Sequence, residues 1–244
     1  MDFTLTKYKE LLQLSIDRFK FVDLECQQLP SQAALWRHDV DFCPSLALQM
    51  ARVDHAMGIR STFYYLVSSE YYNVFEFSTA EIIKKVASMG HRIGLHFSPN
   101  PNLPGTLESL ENQLMDQALV LKNAIQLSVS SFSIHNPTTF HSEYFDKPVH
   151  SRLRNASSSL LRKTYSYCSD SNGYWRYKSL ESLIKNPDIT HLYVLTHPIW
   201  WQDNNLLPRE RVNVHFKSMR NRFQESYDKL LTNNNRLNLG EANT

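Results

Sequence analysis

At 244 residues the chain is long enough for one large domain with a substantial core, and a content of 42% hydrophobic and 20% charged residues excludes a disordered chain. A formal charge of +2, with acids and bases interspersed, gives no block of basic residues that would suggest a nucleic-acid or membrane footprint. Cys26, Cys43 and Cys168 form an odd, widely spaced trio without a C-x-x-C pair. They argue against a disulfide framework and a cysteine zinc cluster, and fit a reducing compartment. The start, with Asp2 leading into an amphipathic segment, lacks the basic-then-apolar form of a signal peptide. No window reaches the ~20 apolar residues of a membrane span. The chain is therefore expected to be cytoplasmic, without an integral membrane segment and at most peripherally membrane-associated.

In chain order, Leu5, Tyr8, Leu11, Leu12, Ile16 and Phe19 recur at helical spacing and predict a helix over 4–19. A strand over 35–41 follows. Pro44 and Ser45 open a helix that stops at Gly58. The aromatic run at 61–67 predicts a strand. Ser78, with Glu81 three residues on, reads as the capping box of a helix that ends at Gly90. Next come a strand over 92–97, a helix over 107–125 expected to be the longest, and a strand over 128–136. Residues 137–163 show no regular pattern. Strands over 165–170 and 192–197 flank a helix over 180–185. A last helix is predicted over 214–231, and the polar tail 233–244 is expected to fray. Alternation of strand and helix points to parallel strands with crossover helices, in one domain over 1–232.

The segment 35–41 carries an arginine, a histidine and two aspartates inside a buried strand pattern. Alternation puts Arg37, Asp39 and Asp41 on one face and Trp36, His38 and Val40 on the other. Two carboxylates one residue apart need compensation, because each unpaired buried charge costs several kcal/mol. A metal, or a metal plus Arg37, supplies it. Other strand ends repeat the theme at His96, His135 and His197, with Asp170 a further candidate. Parallel strands bring such ends to one face of the sheet. His96 shares a face with Gly94, whereas His91 falls with Ile93 and Leu95. His135 shares its face with Ser131 and Ser133.

In order, Arg37-His38-Asp39-Val40-Asp41, Gly90-His91-Arg92-Ile93-Gly94-Leu95-His96, Ser133-Ile134-His135-Asn136-Pro137, Ser169-Asp170-Ser171-Asn172-Gly173-Tyr174-Trp175-Arg176 and Leu195-Thr196-His197-Pro198-Ile199-Trp200-Trp201 resemble the motifs of the NodB-like polysaccharide deacetylases. Within these, the nearest likeness is to the WbmS-type subgroup of surface-glycan clusters, and it spans about residues 33 to 201. The resemblance implies an α/β fold, a distorted (β/α) barrel of about seven parallel strands, with one divalent metal at the strand ends. Zinc is the first choice, with nickel, cobalt, manganese or iron as the others. It also implies Asp39 as general base, Asp41 and His96 as metal ligands, His197 as general acid, and Asp170 as support of the catalytic pair. The family's second motif carries a further ligand where this chain has Pro99 and Asn100. His135 is the proposed replacement, since a catalytic zinc usually has three protein ligands. Arg37 or Arg176 would then orient Asp39 in place of the family's missing arginine.

The expected function is metal-dependent removal of an N- or O-acetyl group from a sugar or glycan precursor. Two alternatives stand beside it: a C–N hydrolase of a small non-sugar amide, and a catalytically silent glycan-binding module. His38 and His91 read as structural. His55, His141, His150, His191 and His215 default to surface or packing roles. Trp200, Trp201, Tyr174 and Trp175 either stack on a sugar or fill the barrel mouth, the second being the plainer reading.

Overall fold

A computed structural model describes residues 2–137 and 146–240. His141 and the last four residues of the expected tail lie outside them. Two compact units divide the chain, Met1–Asn205 and Leu206–Thr244.

The first unit runs α1 (Leu5–Ile16), β1 (Lys20–Val22), β2 (Ala33–Val40), α2 (Pro44–Ala56), β3 (Thr62–Tyr65), α3 (Phe77–Ser88), β4 (Arg92–Phe97), α4 (Leu107–Ile125), β5 (Ser131–Ile134), β6 (Val149–His150), β7 (Leu153–Asn155), α5 (Ser159–Thr164), β8 (Ser166–Ser169), α6 (Leu180–Lys185) and β9 (His191–Thr196). Among the described residues the strands form one sheet in the order β6-β7-β5-β4-β3-β2-β9-β8, with β1 pairing β2. Among the described strands only β6 and β7 pair antiparallel. Successive βα units from β2 to β5 lay down neighbouring strands, and β9 returns along the other side of β2.

Strands in a sheet lie about 4.8 Å apart, so β2 and β5, three steps from each other, would sit ~14 Å apart if the sheet were flat. Yet Ser133 Oγ on β5 donates to Asp39 Oδ1 on β2 at 3.2 Å. Tyr193 on β9 likewise reaches across the interior, its hydroxyl donating to the Ala156 carbonyl just after β7 at 2.6 Å. The sheet is therefore strongly curled into a half-barrel, and inner-face side chains from distant strands meet inside it. This is the distorted barrel, with the short strands β1, β6 and β7 added to those expected. Gly94 is required on that inner face. A Cβ there would lie 2.3 Å from the Tyr64 ring.

All eight residues of β2 are buried. On its outer face, under α1 and α2, His38 Nε2 donates to Asp54 Oδ2 at 2.9 Å and Thr196 Oγ1 donates to His38 Nδ1 at 2.7 Å. Ser61 Oγ and the Tyr8 hydroxyl also donate to Asp54, at 2.6 and 2.7 Å, and Trp36 Nε1 donates to the Tyr8 oxygen at 3.0 Å. Beside them His91 Nδ1 accepts from the Ser61 amide at 3.3 Å while Nε2 faces the Ala51 carbonyl at 2.9 Å.

Local corrections follow from capping and packing. Helix α3 begins at Phe77 rather than after Ser78, because the Glu76 side chain accepts from the amides of Ser78 and Thr79 and is itself the cap. Residues 137–163 hold β6, β7 and α5, too short for periodicity to reveal. All three cysteines are free. The second unit contains α7 (Pro208–Asn233), whose 26 residues exceed the 19 of α4, the helix expected to be longest. Among the described residues no helix is long and apolar enough to cross a membrane.

Candidate active site

The inner-face residues at the carboxyl ends of β2, β4, β5 and β9 meet at a cavity of about 710 Å³ whose wall includes Asp41, His135, Asn136, Arg176, His197 and Trp200. Asp41 stands one residue past β2, where Ser69 Oγ bonds its carbonyl at 3.1 Å and the Tyr72 hydroxyl bonds the Val40 carbonyl at 2.7 Å. The β3–α3 loop thus fixes the end of the strand.

Asp41, His96 and His135 each offer a ligand atom, and these atoms lie within 4.8 Å of one another. Asp41 Oδ1 is 3.1 Å from His96 Nε2, and the His96 and His135 rings stand edge to face with centroids 5.1 Å apart. Below them, Ser133 Oγ gives its proton to Asp39 and lies 2.8 Å from His96 Nδ1. That chain assigns the ring proton of neutral His96 to Nδ1 and leaves the Nε2 lone pair facing Asp41. Asp41 Oδ1 is buried and, among the described residues, accepts no hydrogen bond. An acceptor facing an orphaned carboxylate oxygen is unfavourable unless a cation lies between them. The donor set, one carboxylate and two imidazoles, suits a divalent ion such as zinc. A metal bond of about 2.1 Å allows two ligands to be at most ~4.2 Å apart, so the trio needs only a small side-chain adjustment to grip one ion.

Burial by itself would raise the Asp41 carboxyl. The three imidazoles around it, His96 first and then His197 and His135, outweigh it and hold the group down to about 2. Burial and the neighbouring His96 together push His135 below the usual histidine range. His197 is also buried, which disfavours its charge, yet Asp170, Asp41 and Asp39 drive it up to about 9. Its Nδ1 is 2.6 Å from Asp170 Oδ1, and its Nε2 lies 4.0 Å from Asp41 Oδ2.

No family model and no curated protein matches the chain. Among solved structures it is similar to a Streptococcus mutans CE4 esterase at 14% identity and a TM-score of 0.46, covering 69% of this chain and 74% of that one. The chitin deacetylase of the fungal pathogen Colletotrichum lindemuthianum matches at 13% and 0.41, covering 82% and 86%. A CE4 family pseudoenzyme from Bacillus anthracis matches at 12% and 0.44, covering 79% and 62%, so this chain spans less than two thirds of that protein. The structural neighbours are thus CE4 carbohydrate esterases and deacetylases, one of them a pseudoenzyme. Identities this low and scores below 0.5 say nothing of chemistry, which the side chains must carry by themselves.

The structure brings Asp41, His96, His135 and His197 together, with Asp170 behind His197. Asp170 is fully buried and accepts from the His197 amide, the His197 ring and Trp201 Nε1. Trp201 is therefore a buried anchor of Asp170, packed with Phe3 and Tyr8, and no sugar platform. Trp200 does line the cavity. Arg37 Nη2 pairs with Asp39 Oδ2 at 3.3 Å, and its Nη1 donates to Ala156 and Tyr193. Arg176 stands on the cavity wall, while the cation at Asp39 is Arg37. Asp39 is 2% exposed and lies beneath His96, Oδ2 to Nδ1 3.8 Å, rather than on the wall. Away from the site, His55 and His191 face backbone carbonyls and His150 meets Glu111.

Two contributors escaped the sequence reading. Ser133 was legible only as a member of the polar face that carries His135, and Trp201 as one of several aromatic residues. What each bonds depends on the curl of the sheet.

Proposed function

We propose that the chain is a metal-dependent hydrolase that removes an N- or O-linked acetyl group from a sugar, with an activated or lipid-linked glycan precursor as substrate. The observation that carries this reading is the convergence of Asp41, His96 and His135 around an orphaned carboxylate oxygen, with the His197–Asp170 pair on the same cavity. Bound there, a divalent ion would supply Lewis acidity and a water of lowered pKa. His197, fixed through Nδ1 by Asp170, turns Nε2 toward the ligand cluster, where it can protonate a departing amine or alcohol. Asp39, held by Arg37 and Ser133, is the carboxylate assigned as base. The motif order, nearest to the WbmS-type subgroup, supports a surface-glycan precursor, and a 710 Å³ cavity admits a sugar ring with its substituent.

A second reading of Asp39 rests on its burial and its absence from the cavity wall. In it Asp39 is a positioning residue that acts through Ser133 to orient His96 and strengthen Nε2 as a ligand. Loss of turnover with metal retained in Asp39→Asn supports the base; weakened metal binding supports the positioning role.

The deciding experiment combines metal analysis of protein purified without chelator with acetate release from a panel of acetylated nucleotide sugars. Near-stoichiometric metal with acetate release supports the deacetylase. Ammonia release from ureides without acetate release would instead identify the small-amide hydrolase. No metal in any preparation, with sugar binding retained, would leave a glycan-binding module.

A further inference from the structure

Helix α7 is strongly polar when averaged along its length, but its apolar side chains are not scattered. Phe216, Phe223 and Leu230 recur every seven residues, with Tyr227 four after Phe223, and all four are exposed, Phe223 and Tyr227 by 59% and 57%. At 3.6 residues per turn these positions fall within one narrow stripe along ~21 Å of helix. Such a row of large exposed rings is costly in water and calls for a cover.

Charge says what kind of cover fits. The helix carries six Lys and Arg, of which only Arg211 is buried, against three Asp and Glu, a local excess that the whole-chain charge of +2 conceals. Arg220 borders the stripe on one side and Arg222 lies toward the other, its guanidinium 5.5 Å from the centre of the Phe223 ring. Lys217 lies further out on one flank, while Lys229 stands about as far round the helix from the stripe as Asp228 does. Among the described residues none of these four forms an ion pair. The acids are differently placed. Glu210 is used at the helix start, accepting from the Leu207 amide at 2.8 Å, and Asp228 accepts from Asn238 at 3.1 Å. Glu225 projects opposite the stripe.

We infer that the Phe216–Phe223–Tyr227–Leu230 stripe of α7 is a docking surface for an anionic lipid bilayer, the helix lying in the plane of the interface with its rings in the headgroup boundary. Apolar side chains at the centre, Arg220 and Arg222 beside them and Glu225 on the opposite face match the side-chain order of an interfacial helix. A second copy of the chain would be a poorer occupant, because two such stripes would bring the bordering cations of both helices together.

The test uses the full chain in sedimentation with large unilamellar vesicles. The expected result is co-pelleting with phosphatidylcholine vesicles containing about one quarter phosphatidylglycerol, little with pure phosphatidylcholine, and release as salt rises from about 0.1 to 0.5 M. Arg220→Glu with Arg222→Glu should lower partitioning by more than about tenfold, and Phe223→Ser with Leu230→Ser by at least about tenfold. All four positions are exposed, so far-ultraviolet dichroism matching the parent is the folding control. No binding to anionic vesicles, equal binding to neutral ones, or unchanged binding of both double variants would overturn the inference. So would a chain that ultracentrifugation shows to be a dimer, becoming monomeric in Phe223→Ser with Leu230→Ser and indifferent to vesicles.

Discussion

On the outer face of β2, His38 meets Asp54, with Ser61, Tyr8 and Thr196 giving every carboxylate oxygen and ring nitrogen of the pair a partner. Three residues along, just past the strand end, Asp41 meets His96 and leaves a buried oxygen that no described residue hydrogen-bonds. Both clusters pair a carboxylate with an imidazole about 3 Å away, and both draw on several strands. They differ in where the imidazole proton points. His38 turns its N–H to Asp54 because Thr196 occupies the other nitrogen. His96 turns its N–H away from Asp41 because Ser133 takes it. A completed polar network under helices stabilises a fold, while an incomplete one at the mouth of a cavity is built for something that binds.

The sharpest way to break this contrast is to substitute within the incomplete cluster. His96→Ala or Asp41→Asn should abolish metal retention and acetate release while moderately affecting folding, as read by metal analysis, turnover and thermal melting. His197→Ala should keep the metal and lower kcat by about 10²–10⁴, the usual worth of a positioned acid. If His197→Ala also lost the metal, His197 would be a ligand and the assignment of three donors would be wrong. Next in size comes Ser133→Ala. Freed from Ser133, the His96 ring can turn or change tautomer, and metal affinity should drop by about 10–100-fold. An unchanged affinity would mean that the two sides of β2 do not differ as described.

The contrast between faces was legible before any coordinates, because strand alternation requires no tertiary knowledge and placed Asp39 and Asp41 opposite His38. The same parity separated His96 from His91. What periodicity could not carry is distance across the sheet. Asp54 sits on α2, and nothing in its sequence neighbourhood marks it as the partner of His38. The Ser133–Asp39 bond exists only because the sheet curls through about three strand spacings. Strands of two or three residues, such as β6 and β7, fall below the length at which alternation can be recognised. The α7 stripe was hidden by averaging, since a charge count over the whole chain cancels a local excess.

A smaller effect is expected from the completed cluster. Asp54→Asn keeps the shape but cannot accept from Tyr8, Ser61 and His38 together, so it should cost about 2–4 kcal/mol. For a chain of this length that is a fall in Tm of roughly 5–15 °C. Metal content measured well below the Tm should be unchanged. A variant that loses metal while its melting point holds would show the two faces of β2 to be one functional unit.

The smallest expected effect is one of pH. His91 lies in the same outer layer, and burial holds it below its ordinary value of 6.5. The bonds explain why: Nδ1 already accepts from the Ser61 amide, so a second ring proton would point at a donor. As pH falls through 6.5 the unfolded chain takes up a proton that the folded chain resists. In that window the unfolded state binds more protons, and stability must rise with pH. Above it both states are neutral and the dependence vanishes. His91→Gln removes the titrating group, so denaturation midpoints measured from about pH 7.5 down to pH 5.5 should converge for variant and parent as pH falls. Equal slopes would mean that His91 charges as readily in the fold as outside it. The outer layer would then lack the tight, completed bonding that sets it apart from the cavity-facing side.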